Sequence, residues 1–254
     1  MKLAFTEAGQ GRPVAFLHGL LGAGQNFGAI QKALAARGHR VLALDMRNHG
    51  ASPHAPTMSY PEMAADVAET LRAAGAWPSA IVGHSMGGKA AMMLALTHPE
   101  GVERLVVADI APVPYGMPPF LRYIDAMRAI DLRSGLTRRD ADAALAAAVP
   151  EAPLRGFLLQ NLLFAADPPR WRVPLDVIAD EILTLGGWPG PAGTYAGPVL
   201  VLDGDRSDYI LPEHHARFRA LFPAARIVGI PAGHWLHAEN PQAFLAEVTA
   251  FLEA

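Results

Sequence analysis

The chain has no cysteine among its 254 residues, which excludes disulfides, thiolate nucleophiles and zinc sites built on sulfur. Charge is sparse and nearly balanced, with 21 basic against 24 acidic residues and a formal net charge of −3. Such a chain holds no surplus of cations to displace counterions from a phosphate backbone, so a nucleic-acid partner is not expected. Lysine is the scarcest charged residue, three against 18 arginines. Long apolar runs are missing too: no stretch approaches the roughly 20 residues that span a bilayer. The opening segment, MKLAFTEAGQGRP, meets Glu7 and two glycines before an apolar run of signal-peptide length can form. A soluble, cytoplasmic protein without a membrane partner is the expectation.

What the chain does have is apolar surface, 51% hydrophobic residues, enough for a folded chain of this length to bury roughly 70–75% of the surface it exposes when unfolded. Short β-branched or Leu-rich runs alternate with Ala-rich segments of helical length, the pattern of a mostly parallel sheet covered by helices on both faces. Strands are expected at residues 2–6, 13–18, 40–45, 79–83, 103–109, 198–203 and 224–230. Helices are expected at 24–37, 59–75, 85–98, 213–221 and 241–252. From Val113 to Gly197 the alternation stops. No strand stands out there, while Phe157, Leu158, Leu162 and Trp171 make the stretch too apolar for a linker. The chain therefore divides into an α/β core, residues 1–112 and 198–254, and a helical insertion, residues 113–197.

The strongest chemical signal is Gly83-His84-Ser85-Met86-Gly87, directly after the apolar run Ala80-Ile81-Val82 and directly before a helical segment. A serine on a sharp strand-to-helix turn needs small neighbours, because the backbone folds back close to itself. The same stretch also satisfies a phosphate-cradling loop, G-x-x-x-x-G-K, but Ala90 stands where that loop needs Ser or Thr to bind magnesium. Phe16-Leu17-His18-Gly19-Leu20-Leu21-Gly22 ends an earlier strand, and its glycines let backbone amides face the serine. The amides of Leu20 and Met86 are the candidate oxyanion hole. A serine hydroxyl needs a base. Among ten histidines, His234, in Pro231-Ala232-Gly233-His234-Trp235 after the last expected strand, fits the chain order nucleophile, acid, histidine. His237 competes weakly, His84 should face away from a turn at Ser85, and His49 and the rest fall in or beside surface turns. For the acid, Asp109 ends one strand and Asp208 follows the next, and neighbouring parallel strands bring both ends toward one histidine.

With these residues in hand the chain resembles the α/β-hydrolase superfamily over essentially its whole length, and within it the YbfF-type bacterial esterases. The resemblance rests on Gly83-His84-Ser85-Met86-Gly87-Gly88-Lys89, Asp45-Met46-Arg47-Asn48-His49-Gly50-Ala51-Ser52, Asp109-Ile110-Ala111-Pro112-Val113 and Gly233-His234-Trp235-Leu236-His237-Ala238-Glu239. It implies an α/β-hydrolase fold with a helical cap over the site and hydrolysis of short-chain acyl esters. It also implies Asp109 as the acid with a serine at Ser207. The chain departs from the family's G-G-N-S-P by offering Asp205 and Asp208, which keeps Asp208 open as the alternative. A Ser–His–Asp hydrolase works through an acyl-enzyme and needs no cofactor or metal; its partner is a small-molecule ester. His18, Phe27 and Trp235 are candidates for the substrate pocket. Asp45 and Arg47 are expected to brace their loop rather than touch substrate. A thioesterase or carbon–carbon hydrolase could use the same three residues, and a non-catalytic ligand-binding protein could share the fold.

Overall fold

The computed structural model describes residues 1–116 and 118–254; Met117, inside the expected insertion, lies outside them. The first half alternates strand and helix: β1 (Phe5–Ala8), β2 (Arg12–Leu17), α1 (Gly28–Ala35), β3 (His39–Leu44), α2 (Tyr60–Ala73), β4 (Ser79–His84), α3 (Met86–Thr97) and β5 (Val102–Ala108). Helices α4 (Pro118–Arg128), α5 (Arg138–Leu145) and α6 (Ala152–Leu158) follow, then a short hairpin of β6 (Leu162–Leu163) and β7 (Arg170–Trp171), then α7 (Leu175–Asp180) and α8 (Ile182–Gly186). The chain returns through β8 (Val199–Gly204), α9 (His215–Leu221), β9 (Ala225–Ile230), α10 (Leu236–Glu239) and α11 (Pro241–Glu253). The hairpin between residues 162 and 171 corrects the strand-free reading of that stretch: two residues per strand are too few to carry a period-two signal.

The main sheet has the order β1-β3-β2-β4-β5-β8-β9. Only β1 pairs antiparallel, against β3; the other neighbours are parallel. Strand alternation explains why both faces are apolar. Val14, Phe16, Ala80, Val82, Leu200 and Leu202 enter one core with Ile30 and Leu34 of α1 and Phe244 and Val248 of α11. Ala15, Leu17, Ile81, Leu105 and Val201 enter the other, with α2, α3, α9 and the helices of residues 113–197. Among the described residues no helix is long and apolar enough to cross a membrane.

This topology sends the segments after β2, β4, β5, β8 and β9 to the same edge, the carboxyl ends of the parallel strands, where open α/β sheets place ligands. Leu20, Ser85, Asp109, Asp208 and His234 all lie on those segments. The loop after β3 is braced there as expected. Asp45 Oδ1 accepts from the Gly24 amide at 2.7 Å and Oδ2 from the Ala51 amide at 2.8 Å. Arg47 forms a buried pair with Asp66 at 2.7 Å.

Candidate active site

Ser85 follows β4 with φ +52° and ψ −118°, outside the helix that begins at Met86. A non-glycine residue in this region costs on the order of 1–3 kcal/mol and persists only where its surroundings impose it. Here the surroundings are two close backbone approaches. A methyl group at Gly83 would overlap the Gly87 carbonyl, and one at Gly87 would overlap the Leu17 carbonyl of the neighbouring strand. The Ser85 amide donates to the Ala108 carbonyl at 3.0 Å, which ties the turn to β5.

His234 reaches Ser85 from 149 positions away: its Nε2 lies 3.0 Å from Ser85 Oγ. The other ring nitrogen, Nδ1, donates to Asp109 Oδ2 at 2.7 Å. Asp109 is fully buried and itself has a positive φ, +51°. Its carboxylate also accepts from the Gly204 amide on Oδ1 at 2.9 Å and from the Ser207 hydroxyl on Oδ2 at 2.5 Å. Tyr209 stacks on the His234 ring, 3.9 Å between centroids and 16° between planes. The imidazole is thus gripped on one edge and one face. Asp208 is exposed and makes no hydrogen bond to His234 among the described residues; Asp109 holds that place.

Ser85 stands between two cavities. The first is a narrow cleft lined on one side by His18, Gly19 and Leu20 and on the other by Phe120, Tyr123, Leu154, Phe157, Leu158 and Trp235. It adjoins an open groove that shares Tyr123, Leu154, Phe157 and Trp235 and runs out past Glu151 and Glu239. The second cavity is smaller and brings Leu20, Met86 and Lys89 to the far side of Ser85 with Tyr60, Tyr115 and Tyr209. Among the described residues neither the Leu20 nor the Met86 amide donates to another protein group. Both remain free for a ligand oxygen.

This geometry, a serine on a strand-to-helix turn with a histidine and a buried acid in line, coincides with a family match: the profile described as alpha/beta hydrolase fold covers residues 12–176. The chain belongs to the α/β-hydrolase family. It is 44% identical to the mouse protein named sn-1-specific diacylglycerol lipase ABHD11, over 94% of this chain and 80% of that one. It is 35% identical to esterase YbfF of Escherichia coli, over 94% and 92%. A solved marine microorganism esterase superposes with a TM-score of 0.94 at 37% identity, covering 98% and 99% of the two chains.

Several side chains of this hydrolase lie elsewhere than their sequence context suggests. His84 does not face away: it leaves β4 on the α11 side, where the loop after β9 crosses. Its Nε2 donates to the His234 carbonyl at 2.8 Å, and its ring packs against those of His234 and His237. His49 is not at the surface but fully buried, because its turn is covered by the loop after β2. Phe27 is no pocket residue. It is fully buried against Phe16 and His237 in the α1–α11 core, where losing such a ring costs about 3–5 kcal/mol of stability. Trp235 does line the cavity. His18 borders it too, yet both ring nitrogens are engaged: Nε2 accepts from the Met46 amide at 2.9 Å and Nδ1 donates to the Gly19 carbonyl at 2.7 Å. Burial lowers the His18 pKa to about 4 and, with His18 beside it, the His49 pKa to about 3. Both rings stay neutral at pH 7, as acceptors of backbone amides must.

Lys89, which the sequence offers only as the lysine of the phosphate-loop pattern and of the family motif, lies beside the site. It extends from α3 into the second cavity, 1% exposed. Its Nζ donates to the Gly186 and Gly187 carbonyls at 3.0 and 2.6 Å and lies 4.8 Å from the Tyr115 ring centroid. Burial lowers its pKa to about 7. An unfolded lysine holds its proton to about pH 10.4, so between these values the unfolded chain binds a proton the folded one has lost, and stability rises with pH. The Tm difference between wild type and Lys89→Met should therefore move in favour of wild type from pH 7 to about pH 10. A pH-independent difference in calorimetric scans would contradict this.

Proposed function

We propose that this chain is a serine hydrolase of carboxylic esters with small, short acyl groups, with Ser85 as nucleophile, His234 as base and Asp109 as the acid that holds the base. The single observation behind this assignment is the continuous line from Ser85 Oγ through both His234 nitrogens to Asp109, at 3.0 and 2.7 Å, with a cavity opening on the hydroxyl. His234 Nδ1 donates to the carboxylate, so Nε2 is the acceptor that takes the Ser85 proton as Oγ adds to the ester carbonyl. The Leu20 and Met86 amides receive the developing oxyanion, each such donor being worth about 2.7–4 kcal/mol in the transition state. Asp109 stabilises the imidazolium and keeps its tautomer. The imidazolium then protonates the departing alkoxide, leaving an acyl-enzyme. Water attacks this acyl group with His234 again as base, which returns Ser85 free.

Residues 113–197 act in this reading as a cap over the strand ends, since Phe120, Tyr123, Leu154 and Phe157 come from them and close the apolar side of the cavity. We place the protein in the cytoplasm, in keeping with its lack of cysteine. A second reading, longer apolar chains, is favoured by the groove that continues outward between Phe157 and Trp235, and a relative is named as a diacylglycerol lipase.

A panel of p-nitrophenyl esters from acetyl to palmitoyl, with the matching acyl-CoA thioesters and a fluorophosphonate probe, separates the possibilities. The expected result is probe labelling at Ser85 and a kcat/KM maximum at short-chain esters. A maximum at long chains moves the assignment to the second reading, and a preference for thioesters makes the enzyme a thioesterase. With neither labelling nor turnover, the chain is a ligand-binding member of the family.

A further inference from the structure

The Leu20 amide can stabilise an oxyanion only if the loop carrying it holds one conformation, and three successive peptide planes of that loop are each held by a side chain. The first joins Gly19 to Leu20. Its carbonyl accepts from His18 Nδ1 at 2.7 Å and from the Gly22 amide at 3.0 Å. Because the C=O and N–H of a trans peptide point oppositely in one plane, fixing the Gly19 carbonyl aims the Leu20 N–H. In the second plane, the Leu21 amide donates to His49 Nε2 at 3.0 Å. In the third, the Leu21 carbonyl accepts from Asn161 Nδ2 at 2.8 Å and, more weakly, from Gln160 Nε2 at 3.3 Å.

Leu21 needs these restraints because it has φ +60°, the left-handed backbone that a γ-branched residue avoids unless held. Among the described residues no backbone amide donates to its carbonyl. His18 and His49 belong to the core, but Asn161 sits at the turn into β6, within residues 113–197. It is 2% exposed, and its own carbonyl accepts from the Arg172 amide across the hairpin at 2.7 Å. Gln160 Oε1 in turn accepts from Asn26 Nδ2 at 3.1 Å, and Asn26 Oδ1 accepts from the Ala23 amide at 2.7 Å. Carboxamides thus stitch the end of α6 to the loop that follows β2.

We infer that Asn161 is a positioning residue for the oxyanion loop, so that the Leu20 amide is aimed for catalysis only while the segment bearing Asn161 is seated on the core. This rests on the ester-hydrolase reading above. The cap and the Leu20 half of the oxyanion hole are then one unit: displacing the cap releases the Leu21 carbonyl and leaves Ser85 and His234 in place with the Met86 amide alone to meet the oxyanion.

The test is Asn161→Asp, which keeps the side chain's shape but sets an acceptor against the Leu21 carbonyl, with Asn161→Ser and Gln160→Ala as milder companions. Hydrolysis of p-nitrophenyl acetate is compared with inhibition by an aryl trifluoromethyl ketone, whose hemiketal oxyanion on Ser85 occupies the hole. For Asn161→Asp the expected result is kcat lower by about 10- to 100-fold, a fraction of what a whole oxyanion donor supplies. KM should stay within about twofold, inhibition by the ketone should weaken by the same factor as kcat, and the midpoint of the pH–rate profile should not move. Wild-type kcat and ketone affinity in Asn161→Asp overturn the inference. So does a loss of activity that follows only the loss of folded protein. Should Asn161→Asp fail to fold, parallel losses of kcat and ketone affinity in Asn161→Ser support the linkage, and wild-type values in both milder variants overturn it. If wild type shows no Ser85-dependent turnover at all, it is the hydrolase reading that fails, and this inference falls with it.

Discussion

Replacing Ser85 by alanine is expected to lower kcat for p-nitrophenyl acetate by on the order of 10⁵–10⁶-fold, and replacing His234 by alanine should cost about as much. The two effects are one effect measured twice. Ser85 Oγ has His234 Nε2, at 3.0 Å, as its hydrogen-bond partner, so the hydroxyl is no nucleophile without the imidazole and the imidazole has no proton to take without the hydroxyl. The double variant should accordingly be no slower than either single one, within about threefold. Residual turnover above the solution rate would come from the amides of Leu20 and Met86, which stabilise charge whatever attacks. Neither change should unfold the chain, because alanine tolerates the Ser85 backbone as serine does and the Ser85 amide keeps its bond to the Ala108 carbonyl. Steady-state kinetics with circular dichroism on the same preparations decide the matter. A folded Ser85→Ala enzyme retaining even one part in about a thousand of wild-type kcat would remove Ser85 from the mechanism.

Ser85 was legible in the sequence because its constraint is local: a strained residue between strand and helix demands glycines at fixed neighbours. The sheet was legible for a similar reason, since strands buried on both faces are written as short continuous apolar runs. Depth was not. A histidine in a turn looks the same whether the turn faces water or lies under another loop, so His49, buried in the structure, reads from sequence as a surface residue. An aromatic residue in a loop beside the site cannot be told from one in the core, so Phe27 reads from sequence as a pocket residue. Lys89 had a usable signal. From Met86 to Leu96 α3 is buried on every side, and a lone lysine in such a helix marks a buried amine. Asn161 had none. Its partner lies 140 positions away, and no local pattern separates it from any other polar residue near a helix end.

Spacing does not separate the two candidate acids, because β5 and β8 are adjacent and parallel and both strand ends approach one histidine; pairing and turn geometry put the Asp109 carboxylate against His234. The Asp109 amide bonds to the Leu202 carbonyl at 2.8 Å, which holds Asp109 level with the end of β8. There Ser207 turns back onto Gly204 and leaves Asp208 outside, in solvent. Asp109→Asn should therefore lower kcat by about 10⁴-fold, while Asp208→Asn should stay within about threefold of wild type, as exposed changes usually do. The size of the first effect follows from the hydrogen bonds that the Asp109 carboxylate accepts. Oδ1 accepts from the Gly204 amide, a fixed donor, so an asparagine must put its oxygen there and its NH₂ where Oδ2 stood. That NH₂ would face His234 Nδ1, and a donor at this point forces the ring into the tautomer whose Nε2 carries the hydrogen. Such an imidazole cannot accept the Ser85 proton. The loss should fall on kcat with KM little changed, and it should shrink as pH rises and hydroxide supplants the base. Equal activity of the two asparagine variants, or a larger loss in Asp208→Asn, would transfer the acid to the segment after β8.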